Sequence, residues 1–318
     1  MNKNKMKIVT LTMNPVLDKT SETKIVVPEK KTRCKSPRYE PGGGGINVSR
    51  AIKKLGGESM AIIVVGGDNG NMVENLLKAE NINVKTIDSG ENTRENIMVQ
   101  ETKTGSQYRF VMPGPEMKEK VWKKVLEEIK SIKQKPNYLV ASGSLPPGVP
   151  DDFYAEIARY AKKNDIRFVL DSSGEPLKLA IKEGVHMIKP NLGEMANIIG
   201  KEQINGMELE EAAKEILKKG QCSVLVVSLG AKGAMLATND EIDYIVPPTM
   251  PVVSAVGAGD SMVGGMLVGC TNGLWYQQAA YYGVAAGTAA AMTPGSELCR
   301  KEDTDKIFDW ISANNALH

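Results

Sequence analysis

The chain alternates short runs of β-branched residues with longer amphipathic stretches, and this order strongly limits the folds it can adopt. The strand-like runs cover residues 8–13, 60–65, 138–141, 168–171, 187–189 and 224–228, and the helix-like stretches cover 47–55, 121–132, 152–163, 208–219 and 260–270. Such alternation is typical of βαβ units around a parallel sheet. It predicts an α/β fold of three layers, in which helices flank a mostly parallel central sheet on both faces.

Two segments interrupt the alternation, because each holds strand-like pieces with no helix between them. The pieces are 23–27 and 33–39 in the first segment, and 97–101 and 108–112 in the second. Together they predict a small β-sheet that stands off the main layer as a lid. We therefore assign residues 19–40 and 93–112 to a β lid, and 1–18, 41–92 and 113–318 to a single α/β catalytic domain.

Composition excludes several function classes. Forty basic and thirty-eight acidic side chains leave a net charge of +2, which argues against a broad nucleic-acid-binding surface. The longest apolar run, 60–65, is too short to span a bilayer, and the four cysteines form no Cys-x-x-Cys pair. A cytoplasmic protein with reduced thiols is expected. Of the two histidines, His186 lies in an apolar run and is interpreted as a core or strand-end residue, so any general base should be a carboxylate.

The strongest local signal is Gly257-Ala258-Gly259-Asp260, which opens the helix-like stretch 260–270. The two glycines allow a tight turn, and the helix that follows directs free N–H groups at one point, where phosphate oxygens can bind. A carboxylate at that place can take the proton of an attacking hydroxyl during phosphoryl transfer. The alternative is that Asp260 only caps a helix after a glycine turn.

A run of four glycines, 42–45, precedes Asn47 at the start of another helix-like stretch. Bare backbone lets a polyhydroxylated ligand approach closely, and the amide of Asn47 can both donate to and accept from sugar hydroxyls. The run is followed by no Gly-Lys-Ser/Thr, so it is not a Walker A loop, and its contiguous glycines do not fit a dinucleotide fingerprint. A flexible loop without a ligand is the alternative.

Three further places carry polar groups that suit a nucleotide or sugar site. Asn191 and Glu194 lie three residues apart at a helix start, where they can hold Mg²⁺ directly or through water, or simply form a capping box. The loop 228–233 follows a buried strand, as a nucleotide-phosphate loop would, although a hairpin turn fits equally well. Asp18, beyond the first strand, can accept hydrogen bonds from sugar hydroxyls or cap a turn.

In this order along the chain, the motifs resemble those of the ribokinase-like (pfkB-type) carbohydrate kinase family. The resemblance covers essentially the whole chain, and the run 257–260 is its most specific part. Within the family, segments 40–48, 107–114, 142–148 and 171–175 are most similar to those of the bacterial minor-type ATP-dependent 6-phosphofructokinases.

The resemblance implies a role for each matching residue. Asp260 would be the base, with an anion hole made by Gly257, Ala258 and Gly259. The nucleotide and its Mg²⁺ would be bound by Lys189, Asn191, Glu194, Ser228, Gly230 and Gly233. The sugar would be held by Asp18, Gly43, Gly44, Asn47 and Ser142, and its phosphate by Arg94. The lid residues Lys31 and Arg33 would complete the anionic pocket or touch a second, regulatory ATP.

The family also implies a potassium site, and the lid itself predicts a dimer. Potassium would lie near Ser254, Val256, Ala290 and Gly295, but Thr293 and Glu297 depart from the pattern there, so the resemblance leaves potassium dependence open. The expected partners are ATP and a sugar phosphate, with neither nucleic acid nor membrane. A homodimer through the lid is expected, because a few strands cannot form a core alone and the lid offers apolar side chains at Ile25, Val27, Tyr39, Ile97, Val99, Phe110 and Met112.

The glycine run points to the substrate. Fructose 1-phosphate kinases and many other relatives carry a lysine where this chain has Gly44, so here the substrate's phosphate must be met elsewhere. A sugar whose phosphate lies far from Asp260 fits, and phosphorylation of fructose 6-phosphate at its C1 hydroxyl is the expected reaction. Tagatose 6-phosphate and fructose 1-phosphate remain alternatives, and a non-catalytic sugar- or nucleotide-sensing module is the alternative of a different class.

Overall fold

The computed structural model describes residues 7–315, and within that range nine strands form one sheet. Their order is β13-β12-β11-β10-β9-β8-β1-β4-β5. The chain order of all strands is β1 (Ile8–Thr12), β2 (Val16–Thr23), β3 (Arg38–Gly42), β4 (Met60–Val65), β5 (Asn83–Asp88), β6 (Arg94–Glu101), β7 (Gln107–Phe110), β8 (Tyr138–Ser142), β9 (Arg167–Asp171), β10 (Val185–Ile188), β11 (Cys222–Ser228), β12 (Ala234–Ala237) and β13 (Ile242–Ile245). In this sheet every pairing from β5 to β11 is parallel, and only the pairings of β12 with β11 and with β13, at one edge, are antiparallel.

Helices cover both faces of this sheet, which confirms the three-layer α/β prediction. The helices are α1 (Gly44–Lys54), α2 (Gly67–Ala79), α3 (Glu119–Ser131), α4 (Phe153–Lys163), α5 (Gly174–Glu183), α6 (Leu192–Ile198), α7 (Gly206–Lys218), α8 (Ala258–Thr271), α9 (Tyr276–Ala291) and α10 (Lys301–Asn315). Apolar side chains of α3, α4, α5, α6 and α7 pack on one face, and those of α1, α8, α9 and α10 pack on the other. No helix among residues 7–315 is long and apolar enough to cross a membrane.

The strands alternate their side chains between these two cores, which explains their continuous apolar sequences. Val9 and Leu11 of β1 belong to one buried cluster, whereas Ile8 belongs to the cluster on the opposite face. A strand that is covered on both faces is apolar at most of its positions. The polar residues that follow these strands therefore mark the carboxyl edge of the sheet, where ligands bind in open α/β folds.

A second, four-stranded sheet has the order β3-β2-β6-β7, which confirms the predicted small sheet. Two of its four strands lie elsewhere than predicted. The pieces 23–27 and 33–39 were wrong, because β2 covers Val16–Thr23 and β3 covers Arg38–Gly42, with irregular backbone over residues 24–37. Backbone pairing decides this: β2 pairs residue by residue with β6 from Val16 to Thr23, and its other edge pairs with β3.

The half-buried His186 lies in β10, where its Nε2 atom is 3.1 Å from the hydroxyl of Tyr276. Burial lowers its pKa to about 4, with help from the charge of Arg167. This position in a buried strand agrees with the interpretation of His186 as a core or strand-end residue. All four cysteines are free thiols, and Cys222 and Cys299 are buried.

Candidate active site

Asp260 lies in the first turn of α8, directly after the glycine turn. Gly257 is the residue before the helix and has φ 73°, a left-handed conformation that favours glycine. A side chain at Gly257 is also excluded by space, since a Cβ atom there would lie 2.3 Å from Cδ2 of Leu298. The N–H of Ala258 donates to the carbonyl of Ala255 over 3.4 Å. The other N–H groups of this first turn have no carbonyl one turn earlier in the helix, so they can bind an anion next to the carboxylate.

Two side chains from other elements hold the Asp260 carboxylate. Asn47 in α1 donates from Nδ2 to Oδ2 over 2.9 Å, and Ser142 at the end of β8 donates from Oγ to Oδ1 over 3.3 Å. Burial raises the pKa of Asp260 to about 6 and the charge of Asp171 adds to this, while Asn47, Lys189 and Ser142 oppose it. A base with this pKa is ionised near neutral pH and still accepts a proton readily.

A buried cation lies beside the helix terminus. Lys189 follows β10, is only 7% exposed, and places Nζ 3.3 Å from a carboxylate oxygen of Asp171. A Cβ atom on Gly259 would be 3.1 Å from that Nζ, so the ammonium group lies against the backbone of the anion-binding turn. Burial opposes the charge, but Asp171 and Asp260 together keep the pKa of Lys189 above its ordinary value. The group is therefore cationic and available for an anionic ligand.

The glycine run is pressed against the ends of β1 and β8. A Cβ atom on Gly44 would lie 2.2 Å from Oγ of Ser142, and Gly43 has φ 116°, so neither position accommodates another residue easily. This packing brings Asn47 to Asp260 and argues against a merely flexible loop. Oδ1 of Asn47 is buried and has no hydrogen-bond partner among the described residues, which leaves an acceptor for a ligand hydroxyl.

Asp18 and Arg94 lie where the small sheet meets the main one. Asp18 accepts a hydrogen bond of 3.0 Å from Nδ2 of Asn96, its neighbour across the β2–β6 pairing. Burial raises the pKa of Asp18, although Asn96 and the charges of Arg94 and Arg109 oppose the increase. Two basic side chains therefore lie near one carboxylate, and this group suits a ligand with both hydroxyls and an anionic end.

The guanidinium of Arg94 is anchored to backbone. Its two terminal nitrogens donate to the carbonyl oxygens of Met112 at 3.0 Å and Asn14 at 3.1 Å, and its buried Nε has no partner in the described structure. Each terminal nitrogen carries a second N–H. Arg94 therefore positions the strand ends, and it also keeps donors free for a phosphate.

On the other side of Lys189, two loops lie together. Asn191 and Glu194 form a complete capping box at the start of α6, so the capping alternative is present in the structure. The backbone of Asn191 forms a bridge with Ser228, whose N–H donates to the carbonyl of Pro190 over 3.0 Å. Burial raises the pKa of Glu194, and the charge of Asp171 contributes. Oε2 of Glu194 serves the box, which leaves Oε1 for a cation or its water.

The two glycines of the 228–233 loop differ. Gly230 has φ 63° and a Cβ atom there would face open space, as expected beside a bound nucleotide. At Gly233, with φ 89°, a Cβ atom would be 1.9 Å from the carbonyl oxygen of Ile245. Close packing on β13 thus explains Gly233 without a ligand.

Residues of the expected potassium site are already engaged in hydrogen bonds. Oγ of Ser254 donates to the carbonyl of Gly295 over 3.3 Å, and the N–H of Val256 donates to the same hydroxyl over 3.2 Å. Oγ1 of Thr293 lies 2.8 Å from the carbonyl oxygen of Ala290. Hydroxyl and carbonyl oxygens of this kind suit a potassium ion, but the Ala290 carbonyl oxygen already accepts a hydrogen bond from the Thr293 hydroxyl.

Lys31 and Arg33 are exposed in the irregular segment 24–37. The carbonyl of Arg33 accepts a hydrogen bond of 3.1 Å from Thr23, at the end of β2. Thr23 lies five residues along the strand from Asp18, which is about 17 Å at the usual rise. The backbone of Arg33 is therefore well separated from the Asp18 end of the site.

Three residues of the site were not among the predicted ones: Asp171, Asn96 and Arg109. Asp171 closes the predicted strand 168–171 and is thus a carboxylate at the carboxyl end of a buried strand, a signal that was available in the sequence. Asn96 and Arg109 approach Asp18 only through the pairing of β2, β6 and β7, and no local pattern encodes that proximity.

Residues 5–303 match the profile described as pfkB family carbohydrate kinase, and the chain belongs to this family. It is 40% identical over 308 residues to the ATP-dependent 6-phosphofructokinase isozyme 2 of Escherichia coli (strain K12), covering 96% of this chain and 99% of the relative. It is 39% identical over 305 residues to the protein of the same name from Mycobacterium tuberculosis (strain H37Rv), covering 96% and 90%.

Solved structures of phosphofructokinase-2 from Escherichia coli have the same fold. The complex with fructose-6-phosphate aligns with a TM-score of 0.91 at 40% identity, covering 96% of this chain and 99% of that one. The complex with potassium aligns with a TM-score of 0.92 at the same identity and coverage. The predicted fold and family resemblance are thereby confirmed.

Proposed function

We propose that this protein transfers the γ-phosphoryl group of ATP to the C1 hydroxyl of fructose 6-phosphate, giving fructose 1,6-bisphosphate and ADP. The observation that carries the proposal is the placement of Asp260. It is the half-buried carboxylate at an anion-binding helix terminus, with Asn47 and Ser142 on its two oxygens and Lys189 beside it. The full-length similarity to enzymes named ATP-dependent 6-phosphofructokinase supports the same reaction.

In this reaction Asp260 accepts the proton of the C1 hydroxyl. The sugar oxygen forms a bond to the γ-phosphorus, the bond between that phosphorus and the bridging oxygen of ADP breaks, and ADP leaves with the electron pair. Negative charge on the transferring group is stabilised by the N–H groups of the α8 turn and by Lys189. Because Asp171 is paired with Lys189, it fixes the ammonium group next to Gly259.

The sugar is proposed to lie between Asp260 and the small sheet. Asn47 and Asp18 accept hydrogen bonds from its hydroxyls. The backbone of Gly43 and Gly44 lies beneath the sugar, and the side chains of Arg94 and Arg109 bind its 6-phosphate. The chain has no side chain at Gly44 to meet a phosphate close to the base. This arrangement directs the phosphate away from Asp260 and leaves the C1 hydroxyl next to it.

Magnesium is proposed to be bound with ATP by Glu194, through Oε1 or a water, with Asn191 close by. No group of three or more His, Cys, Asp or Glu side chains within residues 7–315 forms a metal cage, so the phosphates themselves must supply oxygens, as Mg²⁺ commonly requires. The ion would neutralise phosphate charge. Ser228 and Gly230 are proposed to line the nucleotide, and Ser254, Val256, Ala290 and Gly295 to hold potassium.

The small sheet is proposed to act as a lid, with residues 19–40 and 93–112 as its functional unit, and to join two chains in a homodimer. Ile25, Ile97, Phe110 and Met112 are all exposed large apolar residues. Face-to-face packing of two lids would bury them. It would also bring Lys31 and Arg33 to the partner's site or to a regulatory ATP. A cytoplasmic location follows from the proposed substrates.

A panel of sugar phosphates tests the proposal. We expect kcat/KM to be highest for fructose 6-phosphate, with tagatose 6-phosphate as a secondary substrate, since the two differ in one hydroxyl and few hydrogen bonds. Preference for tagatose 6-phosphate or fructose 1-phosphate by more than about tenfold, some 1.4 kcal/mol, would overturn the choice of substrate. Absence of ADP release with every sugar would instead indicate a sensing module.

A further inference from the structure

A buried arginine outside the catalytic group connects two segments that support the site of Asp260, the end of β3 and the loop after α9. Arg50 in α1 is 4% exposed, and two of its nitrogens, Nε and Nη2, each donate to one carboxylate oxygen of Glu80 over 2.8 Å. Its remaining nitrogen, Nη1, donates to two carbonyl oxygens, that of Pro41 at 3.3 Å and that of Ser296 at 3.0 Å.

The two carbonyls belong to different parts of the site. Pro41 directly precedes the glycine run 42–45, which places Asn47 on Asp260. Ser296 lies two residues before Leu298, which packs on Gly257 in the anion-binding turn. One nitrogen atom of Arg50 is thus the shared donor between the end of β3, which leads into the glycine run, and the loop that supports the α8 turn.

Glu80 is placed against the usual electrostatic preference. It is the residue that ends α2, and a carboxylate is unfavourable at the negative end of a helix dipole. Its two charged hydrogen bonds to Arg50 compensate for this, and they fix the plane of the guanidinium. The pair therefore does more than neutralise a buried charge, because it directs Nη1 at the two carbonyls.

We propose that Arg50, oriented by Glu80, is a positioning residue that keeps the glycine run and the α8 turn in register, so that the sugar hydroxyl and the γ-phosphate meet at Asp260. This inference rests on the proposed kinase function. A misplacement of about 1 Å in such an alignment can cost about 10²-fold in rate, although the residue touches neither substrate. A hydroxyl out of line also lets water compete for the phosphoryl group.

The test measures both the rate and the coupling between ATP use and sugar phosphorylation. In Arg50→Met we expect kcat to fall at least about tenfold and the fraction of ATP hydrolysed without sugar product to rise, with Glu80→Gln shifted the same way but less. Arg50→Lys keeps the charge without the planar fork, so it should restore stability more than coupling.

Arg159→Met is the matched control. It breaks the exposed ion pair with Glu183 on α5, on the other face of the sheet, and should leave kcat and coupling unchanged. If Arg50→Met does not fold, Glu80→Gln and Arg50→Lys decide. A folded Arg50 or Glu80 variant with wild-type coupling and kcat within twofold would overturn the inference. Should the wild type prefer another sugar, only the choice of substrate fails, and coupling is measured with that sugar.

Discussion

The carboxyl edge of the main sheet and the small sheet differ in how much of each site the chain supplies. At the main sheet, Asp260 has partners on both oxygens and Lys189 is buried against Asp171. On the small sheet, Phe110 is 52% exposed and Ile97 is 37% exposed. The chemistry is thus preorganised by this chain's own packing, whereas the small sheet presents surface that suits a second chain.

The largest expected effect concerns the main sheet. In Asp260→Asn we expect kcat to fall by about 10²–10⁴, because the amide keeps the size of the side chain and removes the base. Because the folded-state pKa of Asp260 is raised, the ionised carboxylate costs stability above pH 6 or so, and its removal should not lower Tm at pH 8. A folded variant with more than about a tenth of the normal kcat would show that Asp260 is not the base.

Arg94 lies at the boundary between the two regions, and its removal should have the next largest effect on kcat/KM. Charged hydrogen bonds contribute about 1.5–3 kcal/mol, so Arg94→Ala should lower kcat/KM for fructose 6-phosphate by about 10–150-fold. Arg94→Lys should not restore it, since lysine lacks the planar fork. The matched measurement uses unphosphorylated fructose, for which the loss should be much smaller. Equal losses on both sugars would mean that Arg94 only anchors the carbonyls of Met112 and Asn14.

The pH dependence gives a third test of the main-sheet site. As the proposed base, Asp260 must be ionised, and its pKa is raised to about 6. We therefore expect kcat to be level at higher pH and to fall about tenfold for each unit below that pKa. Lys189→Met removes a charge that lowers the pKa of Asp260. In this variant the fall in any residual activity should therefore begin at a higher pH. A wild-type limb near pH 4 would contradict the burial of the base.

Sequence reasoning succeeded where the information was local and failed where it depended on pairing. The turn 257–260 was identified because glycine conformation, helix start and carboxylate are neighbours in the chain. Two strands of the small sheet, β2 and β3, were misplaced, because side-chain alternation does not reveal that β2 pairs with β6 from Val16 onward. Likewise, Arg109 approaches Asp18 across three strands, and its part in the site is visible only after folding.

On the small sheet, a single introduced charge should disrupt dimerisation, with a moderate effect on activity. Phe110→Asp places a carboxylate on the apolar face and should convert the expected dimer to monomer in sedimentation, while Asp260 and its partners stay intact. If Lys31 or Arg33 serves the partner's site, kcat/KM should fall at low protein concentration. Glu119→Gln, on α3, is the surface control. An active wild-type monomer at working concentration would remove the dimer from the proposal.

The smallest expected effect concerns potassium, at the loop that supports the α8 turn. Oγ1 of Thr293 lies 2.8 Å from the carbonyl oxygen of Ala290 and 3.0 Å from that of Leu298, so one hydroxyl proton is shared by two carbonyls. A carbonyl that already accepts a hydrogen bond is a weaker cation donor, and we expect only a severalfold change in kcat when potassium replaces sodium. Thr293→Val keeps the shape and removes the hydroxyl's hydrogen bond to the Ala290 oxygen, which then accepts, within the described part of the chain, only from the backbone N–H of residue 293 at 3.1 Å. It should therefore increase the response to potassium, whereas Thr293→Ser keeps the hydroxyl and should not. Titration of kcat with potassium chloride at constant ionic strength measures both. Equal responses in the two variants would mean that this hydroxyl does not control the cation site, and that its hydrogen bonds serve only to close the end of α9.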